Sequence, residues 1–214
     1  MSDEQLTRPD WDDPVERNGL LAVPHGDEQL TRPDWDDLFE IAAGQEGLFT
    51  GRQAATAGYS LQLLTHHVHA GRVVRVRRGV YRLVHFPAGE HEDLVAVWLW
   101  ADQQGVFSHQ TALALHGLSD VLPSKIHLTL PAAWRRRRLR TPPGVVVHHA
   151  DIADSERSWY GSVPVTSPRQ TLTDCAGAHI SPDLLHQAVE QAMARGLLTT
   201  SDVASNIVRA AGAA

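Results

Sequence analysis

The feature that most restricts this sequence is a change of period at Gly71. Before it, apolar residues recur at helical spacing in three short runs. After it, Val74, Val76 and Val80 alternate with Arg75, Arg77 and Tyr81 about Arg78-Gly79. A 3.6-residue period buries one stripe of a helix and a two-residue period one face of a strand, so three helices and then a tightly turned hairpin are expected. The first helix covers Asp34 to Ala43, with Trp35, Leu38, Phe39 and Ala42 as its stripe and Asp34 as N-cap. Thr50 caps a second helix through Arg52, Ala54, Ala55 and Ala57, which Gly58 ends. Ser60 caps a third from Leu61 to Ala70, ended by Gly71.

Three short helices followed by an Arg-bearing hairpin is the order of a winged helix-turn-helix, and the charge distribution agrees with that reading. The formal net charge of −6 argues against nucleic acid until it is divided by position. Residues 1–38 hold eleven acidic side chains against Arg8, Arg17 and Arg32, a balance of −8; residues 48–86 hold six Arg and no acid, a balance of +6. Such clustered asymmetry is the electrostatic footprint of a nucleic-acid face. Projected at 100° per residue, Leu61, Leu64 and Val68 share the side of the third helix expected to pack inward. Gln62, His66 and His69 fall opposite, beside Leu63 and Ala70. Gln pairs bidentately with adenine in the major groove, and an apolar Leu meets thymine methyls. The expected DNA-binding set is therefore Arg52, Ser60, Gln62, Thr65, His66, His69, Arg72, Arg75, Arg77 and Arg78. The competing readings are a solvated helix face and solvated edge-strand charges. His66, His67 and His69 invite a metal, but they point in different directions with no Cys or carboxylate nearby, so no metal or cofactor is expected.

Two further features stand outside this module. The segment Asp3 to Asp13 recurs unchanged as Asp27 to Asp37. It is too short and isolated for a solenoid; it reads as a duplication or a start-site artefact, or as an acidic arm competing with DNA for the basic face. Residues 1–37 are expected to be an acidic, disordered tail, with the second copy leading into the first helix. A second basic run, Arg135, Arg136, Arg137, Arg138 and Arg140, lies between Pro131 and Pro142 in what reads as an exposed loop. It is either solvated charge or a second electrostatic surface.

From residue 90 the pattern becomes mixed α/β. His91 to Gln104 reads as an apolar helix, Ser108 as the cap of His109 to Gly117, and Ile126 to Leu130 and Val145 to His149 as strands. Ser167, Pro168 and Gln170 have the spacing of a capping box, and Ser181-Pro182 repeats the cap-plus-Pro device before a helix ending near Gly196. Ser108, His109 and His116 suggest a hydrolase, but there is no Gly-x-Ser-x-Gly elbow. Nor does an acidic pair precede a basic residue in strand-like context, as a Mg²⁺ nuclease needs. No enzyme is expected. The longest apolar stretch, Leu94 to Ala101, is too short to span a bilayer, the start Met1-Ser-Asp-Glu4 is acidic, and Cys175 is a lone cysteine, which together point to the cytoplasm.

Over residues 38 to about 200 the chain resembles the AbiEi antitoxin family, the regulator half of type IV toxin–antitoxin pairs. The resemblance rests on Leu48-Phe-Thr50, Gly71-Arg-Val-Val-Arg-Val-Arg-Arg-Gly-Val-Tyr81, Ser108-His-Gln-Thr-Ala-Leu-Ala-Leu-His-Gly-Leu118, Ile126-His-Leu-Thr-Leu-Pro131 and Val163-Pro-Val-Thr-Ser-Pro-Arg-Gln-Thr-Leu172. It implies an α+β chain with a winged-helix domain at 38–88 and a mixed α/β antitoxin domain at 89–214. It also implies an autorepressor that opposes a nucleotidyltransferase-type toxin. The implied partners are double-stranded DNA of its own promoter, that toxin, and a second copy of the chain on DNA. The Ser-His and Thr-Ser-Pro-Arg region also resembles the front part of proteins that end in a restriction-type nuclease domain. The alternatives are thus a protein-binding antitoxin that leaves DNA alone, or a remnant of such a nuclease without its catalytic domain.

Overall fold

The computed structural model describes residues 32–118, 120 and 123–203; the first copy of the duplicated segment and most of the acidic tail lie outside them. Asp34 caps α1 (Trp35–Ala43), its Oδ1 accepting the amides of Asp36 and Asp37 at 2.8 and 3.2 Å. This satisfies two of the donors a helix start leaves open. The end of the second copy is thus the first turn of a helix. Gly47, at φ +82, then turns the chain where a Cβ would collide with Phe86, and β1 (Leu48–Thr50) follows. Thr50 starts α2 (Gly51–Thr56) with a reciprocal capping box to Gln53. After it come α3 (Leu61–His69), β2 (Val73–Arg77) and β3 (Val80–Leu83), the strands joined by Arg78-Gly79. The three strands form one antiparallel sheet in the order β1-β3-β2.

Alternation decides what each face of this small sheet touches. Phe49, Val73, Tyr81 and Leu83 pack with Leu38, Ala42, Ala54 and Leu64 of the three helices and with Tyr59 between α2 and α3. Leu48 and Val80 face the other way, onto α4 (Glu92–Trp100), and join the apolar cluster of the second half of the chain. Helix α4 is shorter than its apolar composition suggests. Asp102 and Gln103 adopt left-handed φ values of +57° and +61°, which ends the helix. The turn lets Gln103 donate to Gln45 at 2.8 Å and Asp102 pair with Arg52.

The second sheet is mixed, in the order β6-β5-β4-β8-β7, and is built from β4 (Val106–Phe107), β5 (Ile126–Leu130), β6 (Val145–His149), β7 (Arg157–Tyr160) and β8 (Val163–Thr166). Together the two sheets and their helices make an α+β fold. One face of the second sheet, with Phe107, Leu128, Leu130, Val163 and Val165, packs on α4. The other face lies under α5 (His109–Leu115) and α6 (Pro168–Gly177), which pack with α7 (Pro182–Ala194) through Leu113, Leu172, Cys175, Ala188 and Ala192. A single turn, α8 (Thr200–Asp202), completes the described chain. No helix among the described residues is long and apolar enough to cross a membrane.

Three local expectations are corrected here. Ser108 does not cap α5: it is fully buried, and its hydroxyl lies 2.9 Å from His109 Nδ1 and 2.7 Å from Thr129 Oγ1. Ser167 accepts from the Gln170 amide, but the Gln170 side chain turns forward to Asp174 at 2.7 Å, so only half of the capping box forms. The Ser167 amide is satisfied instead by the Glu156 carbonyl at 2.8 Å. Ser181 makes no side-chain cap, leaving Pro182 to mark the start of α7.

Candidate nucleic-acid interface

Helix α3 is fixed from its N-terminus, where the Ser60 hydroxyl accepts the Leu63 amide at 3.2 Å. It buries Leu64 and His67, and packs Leu63 and Val68 against the same core. His67 lies between Trp35 and Tyr59, with ring centroids at 5.6 and 5.5 Å. Burial, with Arg72 and His66 nearby, keeps its pKa below the usual 6.5. Gln62, Thr65, His66 and His69 are exposed together. The Thr65 hydroxyl donates to the Leu61 carbonyl at 2.8 Å and retains lone pairs for accepting. The projection misplaces two residues: Leu61 is 70 % exposed rather than packed with Leu64 and Val68, and Leu63, projected beside Gln62 and His66, packs on the core instead. As the first residue of α3, Leu61 lies at the edge of the buried stripe, and His67 takes an inward position instead.

The hairpin presents charge without local neutralisation. Its ladder shifts register between Arg75 and Arg77, a bulge that increases local twist. Arg72, Arg75 and Arg78 are exposed and Arg77 is half-buried. None of these four side chains has an ion pair or hydrogen bond among the described residues. The other two Arg of the acid-free window are engaged by acids from outside it. Arg82 pairs with Glu92 at 2.9 Å in a half-buried contact. Arg52 pairs with Asp102 at 3.2 Å, with both side chains largely exposed. Val74 and Val76 are exposed on the same hairpin.

The second basic run leaves β5 through a 3-10 turn, Ala132–Arg136, before the chain returns as β6. Asp151 accepts the Ala132 amide at 3.0 Å, Arg135 donates to the His149 carbonyl, and the Arg137 guanidinium lies 4.0 Å over the Trp134 ring. Arg135, Arg136, Arg137, Arg138 and Arg140 are all exposed.

The residues that suggested a hydrolase are otherwise engaged. Ser108 is sealed behind Thr129, and His116 Nε2 lies 2.7 Å from the Thr166 carbonyl, the distance of an N–H donating to it. The structure also joins what spacing gives no hint of: His109, His127 and His148, one ring nitrogen of each lying within 4.8 Å of the others. These come from α5, β5 and β6, and only the sheet register brings them together.

Residues 36–84 match the family model described as a transcriptional regulator, AbiEi antitoxin. The resemblance drawn from the motifs is met over that segment, and the matched family is one of regulators. No curated protein matches the chain. Among solved structures, the RV2827C protein from Mycobacterium tuberculosis aligns over 81% of this chain and 77% of its own, at 16% identity and a TM-score of 0.42.

Proposed function

We propose, from the match of residues 36–84 to AbiEi transcriptional regulators, that the chain is an antitoxin that binds duplex DNA of its own promoter and represses its operon. In this reading residues 38–88 are a winged helix-turn-helix, with α2 and α3 as the helix pair, α3 as the recognition helix and β2–β3 as the wing. The observation that carries it is the co-exposure of Gln62, Thr65, His66 and His69 beside four unneutralised Arg, with no acid from 48 to 86. Arg72, Arg75, Arg77 and Arg78 grip phosphates, while Gln62 and the exposed Leu61 meet base edges, Leu61 taking the thymine-methyl contact. Ser60 caps α3 as an acceptor, which leaves its O–H to donate to a phosphate. Arg52 contributes less because Asp102 already holds it.

Residues 89–214 are the antitoxin half, opposing a nucleotidyltransferase-type toxin, and the chain acts in the cytoplasm and on DNA as a homodimer. The Arg135–Arg140 run is a second electrostatic surface, because five exposed cations in six positions repel one another until a partner's negative charge compensates. Fluorescence anisotropy with the upstream region and with unrelated duplex tests the first claim. Tighter binding to the upstream region is expected, and equal affinity for both overturns operator recognition. Replacing Arg136, Arg137 and Arg138 by Ser is expected to impair operator affinity or toxin neutralisation; wild-type levels of both mark the run as solvated surface.

A further inference from the structure

Strand β5 turns polar side chains to the face of the second sheet that lies under α5, and apolar ones to the opposite face. Leu128 and Leu130 of β5 enter the core beneath α4, so His127 and Thr129 point the other way. Strand β6 runs parallel with Thr129 beside His148, which places His127, Thr129 and His148 on one face. Helix α5 begins over them. The Thr111 hydroxyl accepts the His127 amide at 2.8 Å, and the His109 ring stacks on His148 with centroids 3.7 Å apart. His127 Nδ1 lies 3.0 Å from His148 Nε2.

We propose that His109, His127 and His148 form a binding site for one divalent transition-metal ion of the Zn²⁺ class, with a fourth position open to water or an external donor. Two nitrogens each about 2.0–2.1 Å from one zinc lie about 2.9–3.4 Å apart at coordination angles from square to tetrahedral. The His127–His148 separation falls in that range. His109 closes on the ion by turning out of its stack. Its Nδ1 faces the Ser108 hydroxyl, itself held by Thr129, so Nε2 is the nitrogen left to ligate. A hydroxyl on the far ring nitrogen is the outer contact that fixes tautomer and ring orientation in histidine metal sites. His109 also has φ +51°, a left-handed backbone that costs free energy in a residue with a side chain and recurs at ligand sites. Three imidazoles without a carboxylate or thiolate suit zinc, copper or nickel and disfavour magnesium or calcium. Bound there, the ion clamps the start of α5 to β5 and β6.

The test uses the full chain without an affinity tag, stripped by chelator and titrated with Zn²⁺ against a chromogenic competitor. One equivalent is expected for the wild type and none for the His127→Gln/His148→Gln double variant. Ser108→Ala is expected to weaken binding by roughly 10–100-fold, whereas His149→Gln and His66→Gln/His69→Gln are expected to retain the full equivalent. Long-range ¹H–¹⁵N spectra of the wild-type rings, with and without Zn²⁺, identify the ligating nitrogens even where a variant fails to fold. Shifts confined to His109, His127 and His148 support the site. No binding by the wild type, binding that survives the double variant, or ligation by the α3 histidines overturns it.

Discussion

The two sheets carry their candidate sites in opposite ways. In residues 35–83 six elements follow one another directly, and the candidate face comprises two neighbours in sequence, α3 and the β2–β3 hairpin. In residues 92–203 the strand order β6-β5-β4-β8-β7 scrambles the chain, and the histidine cluster draws on positions 109, 127 and 148. A face made of adjacent elements is written in the local pattern. A site made across a mixed sheet exists only once register is set.

The two regions are not independent in packing, and the largest expected effect tests that. Leu128 is fully buried in the cluster that also holds Leu48 and Val80 of the first sheet. Leu128→Ala is expected to destabilise the fold by about 2–5 kcal/mol. Calorimetry is expected to show one common transition moving down. Two transitions, with only one affected, would divide the regions.

Base reading is the next effect in size. Gln62→Ala is expected to cost about 1–3 kcal/mol in binding to the operator and little on unrelated duplex. Equal weakening on both would mean that the exposed face of α3 does not enter the major groove.

A smaller effect belongs to the second region alone. Asp174 Oδ1 accepts from Gln170, while the buried Oδ2 has no partner among the described residues. Burial raises its pKa from 3.8 to about 6, against a lowering by the Gln170 bond. Between those values the folded chain holds a proton that the unfolded chain has released, so Asp174 stabilises at low pH and loses that contribution as pH rises through about 6. The stability difference between wild type and Asp174→Asn is expected to change across that window, with the wild type relatively less stable at pH 7.5 than at pH 4.5. A difference that stays flat contradicts the buried-acid reading.

The same contrast explains what the sequence made legible. Asp34, Thr50 and Ser60 cap as their spacing suggests, since each cap reaches only two or three residues along. Ser108 has the same local signature, but its hydroxyl finds Thr129 twenty-one residues away. Gln170 leaves its cap for Asp174, which lies one turn on along the same helix. The acid-free window overstated the unpaired charge, because Glu92 and Asp102, which pair with Arg82 and Arg52, lie outside it. Leu61 was misassigned because periodicity alone does not tell the end of a stripe from its middle.

The central claim is that Arg72, Arg75, Arg77 and Arg78 form the phosphate grip of a DNA-binding face. It is tested most directly by the salt dependence of affinity for duplex DNA. Four phosphate contacts predict a log–log slope of about −3.6 for the wild type. Arg77→Ala/Arg78→Ala is expected to flatten it by about 2 and weaken all sequences alike, whereas Arg52→Ala, already paired with Asp102, is expected to leave it nearly unchanged. A wild-type slope near zero, or a double variant with the wild-type slope, would contradict the account.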